Sequence, residues 1–471
     1  MFGLDVGLTI LLILCITAAC AFEFANGFHD TANAVATVIY TNSLKPQTAV
    51  VWSGFWNFLG VMSGTIWGLS VASGIVNLLP LEALVDQTVG QSVAMILSLL
   101  LTAIIWNVGT WYFGIPCSSS HTMVGAILGV GIAFSFMPEN ISGSTVNWAK
   151  AADVGLSLLI SPVFGFGLAI ILMFTLKSIV KKDEELFREP HKTKLPPLWI
   201  RAILIVTCTG VSFSHGSNDG QKGVGLVMLI LIAIIPFQFA LNSSIEADKL
   251  KPYMESCFAT VNGIKDSVLT DKEKEIVVKL RKNASQLKAT FDANPDFVKL
   301  SAKEKLDVRK NIMTLAKNAD KLKNSGNVNL THQQTAGLKR DVDEMKTLIE
   351  YAPLWVVIMI SISLGIGTMI GWKRIVVTLG EKIGKQHLTY AQGASSELVA
   401  ASTIGASTFL GLPVSTTQVL SSAIAGSMVA SKGLKNLQGG TVRTIFLAWA
   451  LTLPVCIILS ALLFVIFRAI L

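Results

Sequence analysis

The sequence predicts an all-α polytopic membrane protein, on three observations. Hydrophobic residues make up 52% of the 471-residue chain and charged residues only 14%. Apolar runs recur at 8–25, 154–176 and 445–467, about the length a helix needs to cross hydrocarbon. Lysine-rich polar sequence falls in loops and in one long stretch, 242–350.

Candidate spans in chain order are residues 5–24, 47–70, 92–113, 118–137, 153–177, 199–214, 221–241, 352–372, 395–411, 413–431 and 441–468. The first has only Asp5 as a charge ahead of it, with no basic region and no small-residue cleavage site, so it reads as a retained span. Across 242–350 apolar residues recur at helical intervals, as in IVVKLRKNASQLKATF. This predicts a soluble helical insertion of about one small domain.

Loop charge orients the spans. Lys177, Lys181, Lys182, Arg188, Lys192, Lys194 and Arg201 cluster in one linker, and Lys373, Arg374, Lys382 and Lys385 in another. Both linkers therefore read as cytoplasmic. The loop at 73–91 holds Glu82 and Asp86 without lysine or arginine, so it faces outside, with the N-terminus. The insertion then lies outside as well, on the periplasmic side; two crossings within 199–241 would reverse this. The net charge of +8 follows from loop bias and calls for no nucleic acid. Six cysteines without zinc or disulfide spacing read as buried thiols. The histidines are too scattered for a metal motif, and no cofactor is expected.

Two halves of the chain echo each other in order. NGFHDTANAV at Asn26 is echoed by GSNDGQKGV at Gly216, GTIWGLSVASGIV at Gly64 by GTMIGWKRIVVTLG at Gly367, and GIPCSSSHTMVGAILG at Gly114 by GLPVSTTQVLSSAIAG at Gly411. A duplication with about five crossings per half gives inverted repeats, an arrangement of secondary transporters whose sites lie near the midplane. The division is 1–177 as membrane repeat 1, 178–198 as linker, 199–241 and 351–471 as the two parts of repeat 2, and 242–350 as the insertion.

Polar residues within these spans carry the chemistry. Gly27, Gly216 and Gly220 stand beside Asn, Asp and Ser, which compete for backbone hydrogen bonds, so broken helices are expected there. GIPCSSSH and GLPVSTTQ join apolar segments too closely for aqueous loops. They predict re-entrant hairpins, with Pro116 and Pro413 at the turn and Ser118, Ser119 and Ser120, or Ser415, Thr416 and Thr417, at a helix N-terminus. Free amides beside hydroxyls at a helix start suit an oxyanion. Asp30 and Asp219 suit a cation or a proton, and intramembrane carboxylates are functional by default. His29, His121 and His215 fit either a proton relay or helix packing. Glu397 fits an interfacial position or a coupling role. Lys222 is placed to pair with an acid, to neutralise a substrate or to snorkel.

With ANGFHDTANAV, SHGSNDGQKGVG, GIPCSSSHTMVGA and GLPVSTTQVLSS in register, the chain resembles the PiT family of inorganic phosphate transporters, in particular the bacterial low-affinity Pit permeases. The resemblance implies an inward phosphate symporter in the inner membrane. It implies a phosphate and ion site at Asn26, Asp30, Asn33, Asn218 and Asp219, with Ser118, Ser119, Ser120, Ser415, Thr416 and Thr417 at the hairpin tips. Glu397 matches the family's acidic position ahead of the second tip, and Glu23, His29, His121, His215 and Lys222 are supporting candidates. Sodium-coupled relatives commonly have Glu where Asn57 stands, and a small residue and Asn where this chain has Gln221 and Lys222. That departure favours proton coupling over sodium, with phosphate carried alone or as a neutral complex with a divalent metal cation. Gln418 replaces a common histidine at the second tip. Membrane lipid is the expected environment, and a homo-oligomer is compatible with this reading. Rival readings are a sodium symporter, a carrier of sulfate or of a divalent cation alone, a sensor acting through 242–350, and a membrane phosphatase using His29 and Asp30. The last is disfavoured because the polar sets come in pairs.

Overall fold

A computed structural model describes residues 3–66, 68–76, 78–79, 89–138, 140, 146–180, 185–191, 194–294, 296–325 and 330–471. Glu82 and Asp86, Lys181 and Lys182, and Lys192 lie outside the described residues. The described residues are helical apart from turns and one isolated bridge between Gly384 and Leu437. They fall into two compact units, Gly3–Ile230 with Ala352–Leu471, and Leu231–Tyr351.

In the first unit, α1 (Val6–Tyr40), α2 (Pro46–Ile66), α3 (Ser70–Val76), α4 (Val89–Tyr112), α5 (Ser119–Ser135) and α6 (Trp148–Ile179) are followed by α7 (Leu198–Ile234). Asp5 caps α1 by accepting from the Leu8 amide at 2.9 Å, which satisfies one of the free N–H groups of the first turn. Both α1 and α7 run unbroken through their polar motifs, so the breaks expected at Gly27, Gly216 and Gly220 do not occur. The separate spans at 199–214 and 221–241 become one helix. These glycines serve close packing instead. A Cβ on Gly27 would overlap the Leu364 carbonyl, and one on Gly216 the Asn57 carbonyl. Reciprocally, Gly367 meets the Phe24 carbonyl and Gly60 the Phe213 carbonyl. Small residues let helix backbones approach where lipid offers no hydrophobic drive to associate.

Burial follows polarity. Residues 25–38 of α1 and 215–234 of α7 are buried on every side, whereas the apolar faces of α6 and α17 (Gly439–Ile470) are exposed at Leu159, Val163, Phe174, Phe446, Ile458 and Val465. A helix apolar on its outer face belongs in lipid. Among the described residues, five helices are long and apolar enough to span a membrane, six if α13 (Leu354–Met369) is joined to the bent segment Lys373–Gly380, which turns away by 56°. This is a break the residue pattern at Gly27 and Gly216 did not locate. The chain then passes through α14 (Lys373–Val377).

The two hairpins are built alike. After α4, Gly114 has φ +67°, and the Ile115 amide returns to the Thr110 carbonyl at 2.9 Å. After α15 (Tyr390–Phe409), Gly411 has the same φ of +67°, and the Leu412 amide returns to the Ser407 carbonyl at 2.9 Å. Each is a glycine-closed helix end that satisfies terminal carbonyls. Pro116 and Pro413 forbid continuation. Ser118 and Ser415 then cap α5 and α16 (Thr416–Lys432), their hydroxyls accepting from the His121 and Gln418 amides, each at 3.2 Å. Residues 119–131 of α5 and 415–424 ahead of and within α16 are wholly buried, as re-entrant segments must be.

The second unit holds the short α8 (Pro236–Phe239), then α9 (Ala247–Asn262), α10 (Asp271–Ala293), α11 (Ala302–Ser325) and α12 (His332–Lys346) around a core that includes Leu250, Met254, Leu280, Leu287, Ile312, Leu315 and Met345. Thr270 with Glu273 and Thr331 with Gln334 form capping boxes at α10 and α12, the pairing that satisfies two free amides at once. Its two ends meet: the Asn242 amide donates to the Leu348 carbonyl at 2.8 Å. Arg309 donates to the Ala240 and Ile349 carbonyls at 3.1 and 2.9 Å. Burial pushes its guanidinium down to about 10, which leaves it charged at neutral pH.

Because backbone lies where a side chain would go, Gly216→Leu should cost about 2 kcal/mol or more. The check is the apparent Tm of purified protein in detergent, with Gly109→Leu, where a Cβ meets nothing within 4 Å, as the tolerated control.

Candidate functional site

Asp30 lies in the buried half of α1 with a relative exposure of 2%. Its Oδ1 accepts from Thr417 Oγ1 at 2.5 Å and Asn33 Nδ2 at 3.2 Å. Its Oδ2 accepts from Ser119 Oγ at 3.2 Å and Thr416 Oγ1 at 3.3 Å. Thus the first turns of α5 and α16 both aim hydroxyls at one carboxylate. This follows from the caps: with Ser118 and Ser415 spent on capping, the next residues of each helix present their side chains inward. A carboxylate near two helix N-termini sits where the backbone favours negative charge.

His29 bridges outward from this carboxylate, its Nδ1 3.3 Å from Asp30 Oδ1 and its Nε2 3.3 Å from Thr110 Oγ1 on α4. His215 approaches from α7. Its Nδ1 lies 2.8 Å from Asn57 Oδ1, while the Asn57 amide nitrogen faces the Thr368 hydroxyl at 3.3 Å. With the Asn57 oxygen as acceptor, the His215 proton belongs on Nδ1. Nε2 is then left facing Asp30 Oδ2 at 3.5 Å and Asp219 Oδ2 at 3.7 Å. Asp30, His215 and Asp219 offer three ligand atoms within 4.8 Å of one another. That set can take a proton between histidine and carboxylate, or a hard cation.

Asp219 has the complementary arrangement. Its Oδ1 pairs with Lys222 Nζ at 2.7 Å, and its Oδ2 lies 3.4 Å from Ser119 Oγ, whose single proton it shares with Asp30 Oδ2. Lys222 also donates to Ser120 Oγ at 2.5 Å. Lys222 is thus paired with an acid, and at 1% exposure its side chain does not reach the protein surface.

Other candidate residues lie apart from these bonds. Asn26 donates to Glu23 Oε2 at 3.3 Å, and Asn218 to Thr408 Oγ1 and the Leu412 carbonyl at 3.0 and 3.3 Å. The side-chain oxygens of Asn26, Asn33 and Asn218, and Glu23 Oε1, are buried without a hydrogen-bond partner. Open acceptors of this kind in a native interior call for an explanation, and a cation or a donor-bearing guest supplies one. His121 turns to its own cap, Nδ1 2.8 Å from Ser118 Oγ. Glu397 is wholly buried, and its carboxylate is held separately by the hydroxyls of Thr37 on α1 and Thr207 on α7, the latter at 2.5 Å. Thr37, Thr110, Thr207 and Thr368 were not singled out in the sequence. The available signal was weak: Thr37 follows Asp30 by seven residues, two helical turns on one face.

Residues 26–460 match the phosphate transporter family. The chain belongs to that family. Members similar to it include the low-affinity inorganic phosphate transporter of Buchnera aphidicola (subsp. Acyrthosiphon pisum), 39% identical over 488 residues covering 98% of this chain and 97% of the other. The low-affinity inorganic phosphate transporter PitA of Escherichia coli K12 is 39% identical over 496 residues, 97% of each chain. The probable low-affinity inorganic phosphate transporter of Bacillus subtilis is 28% identical across 96% and 95%. A solved structure described as the sodium-dependent phosphate transporter shares the fold, with a TM-score of 0.55, 20% identity, and coverage of 98% of this chain and 100% of that one. Family membership makes this an integral membrane transporter and not an enzyme.

In this family member the Glu397 pocket yields a test of local energetics. Thr207→Val keeps shape but removes one donor to a buried carboxylate, and should destabilise the protein by about 1–3 kcal/mol. Thr175→Val, whose exposed hydroxyl only returns to the Ile171 carbonyl, should be near neutral by the same thermal measurement.

Proposed function

We propose that the chain imports inorganic phosphate across the bacterial inner membrane by symport with protons, as free phosphate or as a neutral divalent metal-phosphate complex. One observation carries this reading: Ser119, Thr416 and Thr417, from both hairpin tips, converge on Asp30. Those hydroxyls are the donors an incoming phosphate needs. When phosphate takes them, Asp30 loses its partners and stands beside a second anion in a dry interior. The cost of an unpaired buried charge is high, so occupancy requires that a proton or cation arrive too. Asp30 or Asp219 takes up the proton, with His215 Nε2 between them. A carrier loaded with phosphate alone is held back by the unpaired charge, and coupling follows from the difference between loaded states.

Inverted repeats explain the paired construction. In support, α5 and α16 each have 17 residues, and α6 and α17 each have 32 with an internal proline, Pro162 and Pro454. Repeat 1 is 1–177 and repeat 2 is 199–241 with 351–471, joined by a cytoplasmic linker at 178–198. Because α7 is a single crossing, the insertion emerges opposite the basic linker, in the periplasm. A sodium symporter is the second reading, favoured by the oxygen-rich set around Asp30.

In proteoliposomes, radiolabelled phosphate uptake should follow an imposed pH gradient without sodium, and arsenate should compete where sulfate does not. Asp30→Asn should reduce uptake to background while the protein remains in the membrane. A strict sodium requirement would refute proton coupling, and normal uptake by Asp30→Asn would refute the site.

The insertion is an accessory to transport. Since Asn242 and Leu348 are hydrogen-bonded neighbours, replacing the residues between them by a short Gly-Ser linker should leave phosphate uptake within about twofold of the intact chain, the loop-closure term being small. Uptake assays on the shortened protein check this.

A further inference from the structure

Lys222 is among the largest side chains removed from solvent in the protein, and burial of a lysine is expensive unless its charge is fully met. Its Nζ contacts three oxygens: Asp219 Oδ1 at 2.7 Å, Ser120 Oγ at 2.5 Å and the Val414 carbonyl at 3.3 Å. They come from three different places, α7, the first turn of α5, and the segment just before the α16 cap. Ser120 Oγ donates its own proton to the Val414 carbonyl at 2.8 Å, so its lone pair is what faces the ammonium. Carboxylate, hydroxyl and peptide carbonyl form an all-oxygen shell, the kind that hard cations take, and carbonyls at interrupted membrane helices are where transporters bind monovalent ions. An ordinary ion pair needs only the carboxylate. Here the cation also joins both hairpin tips to α7.

We infer that the Lys222 ammonium fills a monovalent cation site between the two hairpin tips and α7, so that a tethered charge stands where a dissociable sodium ion would otherwise bind. This rests on the phosphate-uptake reading for its functional consequence, but not for the site itself. Lys222→Ala leaves Asp219 unpaired and opens a space lined by the same three oxygens. A small cation that enters it restores both the charge balance and the link between the tips.

The experiment compares wild type, Lys222→Ala and Lys222→Gln in proteoliposomes with sodium chloride or choline chloride at equal ionic strength. Wild-type phosphate uptake should differ by less than about twofold between the salts, since its site is filled. The variants should fall about tenfold or more in choline, as expected when one partner of a buried pair is removed, and should recover severalfold and saturably in sodium. Independently of transport, sodium should raise the apparent Tm of each variant by several degrees and leave wild type unmoved, because an ion that binds only the folded state stabilises it. Adding Asp219→Asn to Lys222→Ala removes the charge that demands a cation and should abolish the sodium-induced rise in Tm. The inference is overturned if neither variant responds to sodium in uptake or in Tm, or if wild type responds as strongly. Should wild type take up no phosphate at all, the transport reading fails, while the Tm comparison still decides whether the cation site exists.

Discussion

The two hairpin tips of the membrane unit meet at one expensive group, the buried carboxylate of Asp30. It has four donors, three of them hydroxyls from helix starts that follow the Gly-x-Pro turns. A carboxylate in hydrocarbon without such partners is not stable. The hairpins therefore both depend on Asp30 and supply it: their first turns leave amides and hydroxyls that need an acceptor, and the carboxylate needs donors. The closing glycines, the prolines and the serine caps are the local chemistry that brings each tip to that depth.

Convergence on one point also requires that long helices approach closely. Gly27 and Gly367 remove side chains between α1 and α13, and Gly60 and Gly216 do the same between α2 and α7. The second contact sits beside the Asn57 backbone, so the same close approach that packs α7 also brings His215 within 2.8 Å of the Asn57 side chain. Packing and site geometry are one constraint here. A shift of α7 large enough to admit a Cβ at position 216 would also move His215, Asp219 and Lys222.

Much of this was legible in the sequence, and what was not has physical reasons. Polar residues inside apolar runs marked Asp30 and Asp219, and Gly-x-Pro ahead of serines marked the tips, because each pattern has few structural uses in lipid. Glycine misled at Gly27 and Gly216. Intrinsic helix weakness of about 1 kcal/mol predicts a break, but interhelical packing and the absence of competing water hold the backbone bonds in place. Asn57 read as a lost ion ligand, and in the structure it orients His215. The Thr37 and Thr207 pair around Glu397 was hidden because a threonine in a membrane helix is usually satisfied by its own preceding turn. Only the fold shows that these two hydroxyls reach a carboxylate on a third helix.

The two aspartates are related by position in their motifs but not in how their charge is met, and this asymmetry bears on coupling. Asp219 has a permanent covalent counter-charge in Lys222 at 2.7 Å. Asp30 has only neutral hydroxyls, an amide and two imidazole nitrogens at 3.3 and 3.5 Å. Two fixed counter-cations would balance both aspartates, so an arriving phosphate would meet a neutral site rather than a second unpaired anion. With neither, the empty site would hold two unpaired carboxylates and bind protons or metal ions before any anion. One tethered and one mobile counter-charge gives the intermediate case, in which Lys222 balances Asp219, the Asp30 charge is left over, and an arriving phosphate adds to that excess unless a mobile cation accompanies it. On the proposed reading, the requirement for a coupled ion thus arises from a single unmatched carboxylate.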